Sequence, residues 1–171
     1  MTDIVKDLIK FHETEIEHDM WDVLYTVFNS DGPNQLNYQY IGEFTEVMLG
    51  ADICPTDYLD YIPEGYLYGT NVPKVDIPTD IKTIKTFAYG GCQKLTSVII
   101  PESVQEIEAN AFAYCDNLEE VTIMNPWTKI DIFSFYSTTP KVVNYSGTKG
   151  MWKTQNYNIA ATKVICDDGE L

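Results

Sequence analysis

Between residues 77 and 123 the apolar positions return at a fixed step of 23 residues. Ile77-Pro78 falls on Ile100-Pro101, Ile81 on Val104, Ile84 on Ile107, Ala88 on Ala111 and Tyr89 on Phe112. Cys92 falls on Cys115, Leu95 on Leu118, Val98 on Val121 and Ile100 on Ile123, all without a gap. One step forward keeps Trp127, Ile130 and Phe135 in the slots of Val104, Ile107 and Phe112, with Met124 replacing the proline and Thr138 the cysteine. One step back keeps Pro55, Tyr58, Tyr61, Tyr66, Val72 and Val75, with Cys54 in the Ile slot and Gly69 in the Cys slot. The array thus has two clean repeats flanked by two degenerate ones, about four coils.

Self-similarity at this period marks a stack of supersecondary units, and 23 lies inside the roughly 20–29-residue range of leucine-rich repeats. Leu95-x-x-Val98-x-Ile100 and Leu118-x-x-Val121-x-Ile123 alternate at period two, which predicts short half-buried strands. Pro101 has no N–H to donate and ends the pairing. Ile107 and Ala111, four apart, predict a short helical turn that turns Ala111 and Phe112 inward. One coil cannot bury its own apolar face, but like residues stacked at the ~4.8 Å strand spacing can.

The stretch Ile100-Pro101-x-x-Val104-x-x-Ile107-x-x-x-Ala111-Phe112-x-x-Cys115-x-x-Leu118-x-x-Val121 resembles the repeat of the BspA-like leucine-rich repeat family, also called the Treponema-type repeat. Val143-Asn-Tyr145-Ser-Gly147-Thr148-Lys-Gly-Met-Trp152, followed by Val164-Ile165-Cys166-Asp-Asp168-Gly169, is similar to the segment that often closes such arrays. The resemblance covers residues 54–169 and is absent from 1–53. It implies an α+β fold, a short right-handed solenoid with a binding role, and it carries over no catalytic residues. Many family members are secreted surface proteins with adhesion roles, and others occur in phages and mobile elements.

Outside the repeats, Ile4, Val5, Leu8, Ile9 and Phe11, then Ile16, Met20, Trp21, Val23, Leu24, Val27 and Phe28, recur near period 3.6. Asn29-Ser-Asp-Gly32-Pro33 stops the run, and a second helix carrying Ile41, Phe44, Val47 and Met48 closes at Gly50. Solenoid ends expose apolar faces and strand edges, so residues 1–53 are expected to form a helical N-terminal cap, 54–145 the repeats and 146–171 a C-terminal cap. Tyr145, Trp152 and Ile165 are the residues expected to seal the last coil.

Composition narrows the partners. The 171 residues carry 26 Asp and Glu against 11 basic residues, all lysine, for a formal charge of −15. Without arginine or a basic stripe the chain lacks the usual phosphate clamp, so direct nucleic-acid binding is not expected, and an anionic membrane is no better a partner. No apolar run approaches the ~18–20 residues of a membrane span. The start, Met1-Thr2-Asp3-Ile4-Val5-Lys6-Asp7, lacks the pattern of a signal peptide, so the sequence-based expectation is a cytoplasmic protein, monomeric or a small oligomer. The charge is uneven: residues 1–64 hold 14 carboxylates and two lysines, residues 65–171 hold 12 and nine, giving −12 and −3.

Catalytic and metal chemistry find little support. No C-x-x-C pair exists, and Cys92 and Cys115 share a slot, as expected of a ladder of buried thiols. Glu15 and His18 have the i, i+3 spacing of di-iron bundles, but only one such motif is present, and His12 points to a different side of the helix. Asp167-Asp168-Gly169 reads as a turn, and Tyr145 in Asn144-Tyr145-Ser146 as strand core rather than part of a glycosylation site. The chain is expected to be no enzyme and to hold no cofactor or metal.

Binding remains. The outward positions beside the inward strand residues are Lys74 and Asp76, Ser97 and Ile99, Glu120 and Thr122, and Val142 and Asn144, a mixed row suited to a protein partner. The alternative contact is the acidic helical face, Glu13, Glu15, Glu17, Asp19, Asp22, Glu43 and Glu46, whose carboxylates could imitate phosphates and occupy a basic channel, as in a phage-type anti-defence inhibitor. A surface adhesin fragment is the third reading.

Overall fold

The structure, a computed structural model, describes residues 59–155 and 157–171. Two columns of short strands run along one stack. The first contains β1 (Tyr61–Ile62), β2 (Thr83–Ile84), β4 (Glu106–Ile107) and β6 (Lys129–Ile130), all parallel. The second contains β3 (Ser97–Ile100), β5 (Glu120–Ile123), β7 (Val142–Tyr145) and β8 (Lys163–Cys166), also parallel, closed by the antiparallel β9 (Gly169–Glu170). The seven-residue helix α1 (Lys149–Gln155) sits between β7 and β8. β1 lies one coil before β3 and β8 one coil after β6, so the solenoid makes about five turns rather than four. The expected cap at 1–53, with its seven acidic candidates and Cys54, lies outside the described residues.

Pairing reproduces the 23-residue step only at the centre. Thr83 faces Glu106, Glu106 faces Lys129 and Ser97 faces Glu120, but Tyr61 faces Thr83 and Glu120 faces Val142 at steps of 22, and Val142 faces Lys163 at 21. The missing residues come out of the turns, which leaves the strands in register. Two inward slots differ from the sequence expectation, one where a turn is a residue short and one where the corner after Ile123 is a residue long. Thr70, not Gly69, stands below Cys92. Thr128, not Trp127, fills the Val104 slot, because the corner turn starts at Asn125: the Thr128 N–H and hydroxyl both reach Asn125 O, and the hydroxyl also donates to Val104 O. Trp127 is turned out to 69% exposure.

The third side of each coil is not helical. The N–H groups of Ala88, Gly90 and Cys92 close three-residue turns onto Lys85, Phe87 and Tyr89, whereas those of Tyr89 and Gly91 donate to Ala111 and Ala113 of the next coil. This alternation is incompatible with a 3.6-residue ladder. Left-handed backbone accompanies it, at one place in three coils, Gly65, Phe87 and Asn110, and at a second place in four, Gly69, Gly91, Tyr114 and Ser137.

The core is a set of ladders. Val98, Val121, Val143 and Val164 form one, and Ile62, Ile84 and Ile107 another, all buried. The rings of Tyr89, Phe112 and Phe135 stack with centroids 5.1 Å apart at 15° and 11°, and Tyr66 meets Tyr89 edge-on at 6.0 Å. Each buried side chain of this size contributes ~1.5–3 kcal/mol, and the stacking ties each coil to its neighbours. Cys92 and Cys115 are not joined to each other in a disulfide. Their slot is a donor ladder: the hydroxyls of Thr70 and Thr138 donate to Leu67 O and Phe112 O, and the thiols of Cys92 and Cys115 to Leu67 O and Tyr89 O.

The last coil is sealed by Tyr145, Trp152 and Tyr157, whose rings meet edge-on within 6 Å of one another. Ile165 does not join them. It points outward from β8 because Val164 and Cys166 take the inward positions. β9 then covers the β8 edge after the Asp167–Asp168 turn, a protected edge that discourages further pairing.

Candidate interaction surface

The outward face of the second sheet places the expected row side by side. Ser97, Glu120 and Val142 form one line and Ile99, Thr122 and Asn144 the next. Ile99 is 58% exposed, a large apolar side chain on a strand that could have carried a polar one. Next to it the row is polar and cross-linked: Asn144 Nδ2 donates to Glu120 Oε1 at 2.7 Å and reaches Thr122 Oγ1 at 3.5 Å. Sequence reasoning missed the final rung, Lys163 and Ile165, although the alternation around Val164 and Cys166 marks it, because the 21-residue step through α1 breaks the period.

Lys74 and Asp76 are exposed as expected, but their segment forms no strand and is not paired with β3. They pair with each other at 2.6 Å instead, an ion pair in water worth ~1 kcal/mol or less. The segment stands off from β3 and leaves a shallow open groove of about 260 Å³, floored by Val75, Val98 and Ile77 and flanked by Ile99, Pro101 and Met124. In a parallel ladder one residue's N–H and C=O point the same way. Thr96 O and Ile100 O accept from the β5 side, which aims the backbone groups of Ser97 and Ile99 at the groove.

A family model for the BspA type leucine-rich repeat region matches residues 57–162 in six copies. The chain belongs to that family. A leucine rich cell surface protein of known structure from Faecalibacterium prausnitzii is similar over 48% of this chain and 22% of its own, at 27% identity and a TM-score of 0.45. The chain thus spans about a fifth of that protein's length. No curated relative matches.

Within this BspA-type array burial and a single ion pair set the clearest shifts of titratable groups. Burial pushes the Cys115 thiol far up, with Cys92 adding to it. Burial likewise raises Tyr157, with Tyr145 adding to it, and its hydroxyl donates to Thr128 O at 2.6 Å. A hydrogen bond from Lys129 to Glu106 holds that ammonium above its ordinary value. Among the described residues no group of three or more His, Cys, Asp or Glu could hold a metal ion, and no helix is long and apolar enough to cross a membrane.

Proposed function

We propose that this BspA-type array is a non-enzymatic protein-interaction module that contacts its partner through the outward row of the second sheet, from Ser97 and Ile99 to Val142 and Asn144. The observation that carries the reading is Ile99, an exposed aliphatic side chain centred between a groove and a polar, hydrogen-bonded strand surface. An apolar centre with a polar rim is the anatomy of a recognition patch. Four strands at ~4.8 Å spacing and four residues in length give a face roughly 15 Å by 13 Å, well below the ~800 Å² per partner of a standard interface, so a second surface has to complete the contact.

The acidic residues at 13–22 and at 43 and 46 are the second surface we favour on sequence grounds, because −12 is concentrated in residues 1–64. Used alone, that charge supports the rival reading, an acidic inhibitor of a nucleic-acid-binding protein. Capture of partners from lysate by the full chain at low salt and again at ~0.5 M salt separates the two. A row contact survives the salt and is lost in the Ile99→Arg, Thr122→Arg double variant. An exclusively charge-driven contact with basic nucleic-acid enzymes disappears as the Debye length falls to a few ångströms, and that result overturns the proposal.

A further inference from the structure

The turn side of the solenoid carries a surface that neither the core nor the sheet row explains. Tyr114, Phe133 and Tyr136 are 41%, 49% and 51% exposed, and their rings nevertheless meet. Tyr136 contacts Tyr114 at 5.6 Å and Phe133 at 6.3 Å, both edge-on. The inter-coil bonds Asn110 N–H to Phe133 O and Tyr114 N–H to Tyr136 O fix the third coil against the fourth, so the cluster is preformed. Ile132, which precedes Phe133 in the chain, is also exposed.

Tyr114 is the unusual member. Its φ of 57° is left-handed, and the same slot one and two coils earlier holds Gly91 and Gly69 at 71° and 69°. A bulky side chain in that region is strained where glycine is not, and this ring gains little core burial in return. Strain of this kind collects at binding sites. Charge supplies a second observation. Of the carboxylates between 102 and 138, Glu106 and Glu119 are paired with Lys129 and Lys141, Glu120 is bonded to Asn144 on the second sheet and Glu108 accepts from Thr86, whereas Asp116 and Asp131 form no ion pair among the described residues. Both stand close to the rings along the chain: Asp116 follows Tyr114 by two positions, and Asp131 Oδ1 accepts the Phe133 N–H.

We propose that Tyr114, Phe133 and Tyr136 form a docking site for a protein segment that presents an aliphatic or aromatic anchor flanked by Arg or Lys. The ring edges and faces receive the anchor, the tyrosine faces attract the flanking cation, and Asp116 and Asp131 select a basic flank. The site lies on the turn side of the coil, so its fate is independent of the sheet row.

The test titrates the full chain with two fluorescent peptides of about a dozen residues, one alternating Leu and Arg and the other Leu and Gln. Saturable binding of the Leu–Arg peptide is expected, at least about tenfold tighter than the Leu–Gln peptide, a difference that reports the basic flank because the Leu anchor is common to both. Tyr136→Ser and Tyr114→Gly are each expected to weaken it about tenfold or more, and Ile99→Ser to leave it unchanged. Tyr114→Gly relieves the strained φ, so an undiminished melting temperature separates lost binding from lost folding. The proposal is overturned by the absence of saturable binding, by equal affinity for the two peptides, or by unchanged affinity in both tyrosine variants. It is also overturned if neutral oligosaccharides, rather than the peptide, quench the tyrosine fluorescence in a way these variants abolish, which assigns the surface to glycans.

Discussion

Phe112 is the keystone of the aromatic ladder, and truncating it measures how tightly the coils are coupled. Its ring is fully buried and stacked on both Tyr89 and Phe135. Phe112→Ala removes the transfer term and leaves a cavity that the inter-coil hydrogen bonds on either side keep from collapsing, a cost of about 3–5 kcal/mol. Phe112→Leu restores most of the volume but forfeits two stacked contacts worth ~0.5–1.5 kcal/mol each, so about 1–3 kcal/mol is expected. Urea unfolding followed by far-UV circular dichroism reads both, and a double-mutant cycle apportions them. Phe112 with Phe135 is expected to couple by about 1 kcal/mol, and Tyr89 with Phe135, which Phe112 separates, more weakly. A Phe112→Ala cost under about 1 kcal/mol, or equal coupling in the two cycles, refutes the ladder as the source of cohesion.

Two further outcomes follow from single sites. Gly147 has no room for a methyl group, since a Cβ there would sit 2.6 Å from the Tyr145 ring and 2.8 Å from Pro126 Cβ, so Gly147→Ala is expected to cost about 1–3 kcal/mol in the same urea assay; a neutral result contradicts the packing described at the last coil. Stability is also expected to fall in alkali. Cys115 and Tyr157 have their pKa values raised in the folded state, so both states are protonated and indifferent to pH below the ordinary thiol value. Above it the unfolded chain alone releases the Cys115 proton, at a cost of ~1.4 kcal/mol per further pH unit, and Tyr157 adds to the slope only above the ordinary phenol value. Melting temperatures recorded from pH 7 to 10.5 check this, and Cys115→Ser is expected to shallow the slope; a flat profile contradicts the burial of these groups.

The fold was legible because stacking forces every coil to repeat its inward residues. Strand alternation at Val98/Ile100 and Val121/Ile123, the ring slot at 89, 112 and 135 and the thiol slot at 92 and 115 all stand where the period puts them. What was misread lies in the turns. The coil from Thr70 to Cys92 is one residue short there and the corner after Ile123 is one residue long, which puts Thr70 and Thr128 into slots that the strict period gives to Gly69 and Trp127. The supposed helical turn failed for a related reason. Ile107 and Ala111 do share an inward side, but the N–H groups between them bond alternately within and between coils, a pattern that apolar spacing cannot distinguish from a helix. Of the candidate row, Ser97 to Asn144 followed from the strand register alone. Lys74 and Asp76 did not join it because strand pairing is a tertiary choice, and no feature of Val72–Ile77 announces that the segment stands off from β3.

The central claim is that the partner seats on the outward row of the second sheet. Photo-crosslinking from that row tests it most directly: a photoreactive residue is placed singly at Ile99, Thr122 and Asn144, and as controls at Thr83 and Glu106 on the first sheet, and the complex captured at ~0.5 M salt is mapped by mass spectrometry. The account predicts crosslinks to one protein from Ile99 and Thr122 and none from Glu106. Crosslinks confined to the control positions, with none from the row, contradict it.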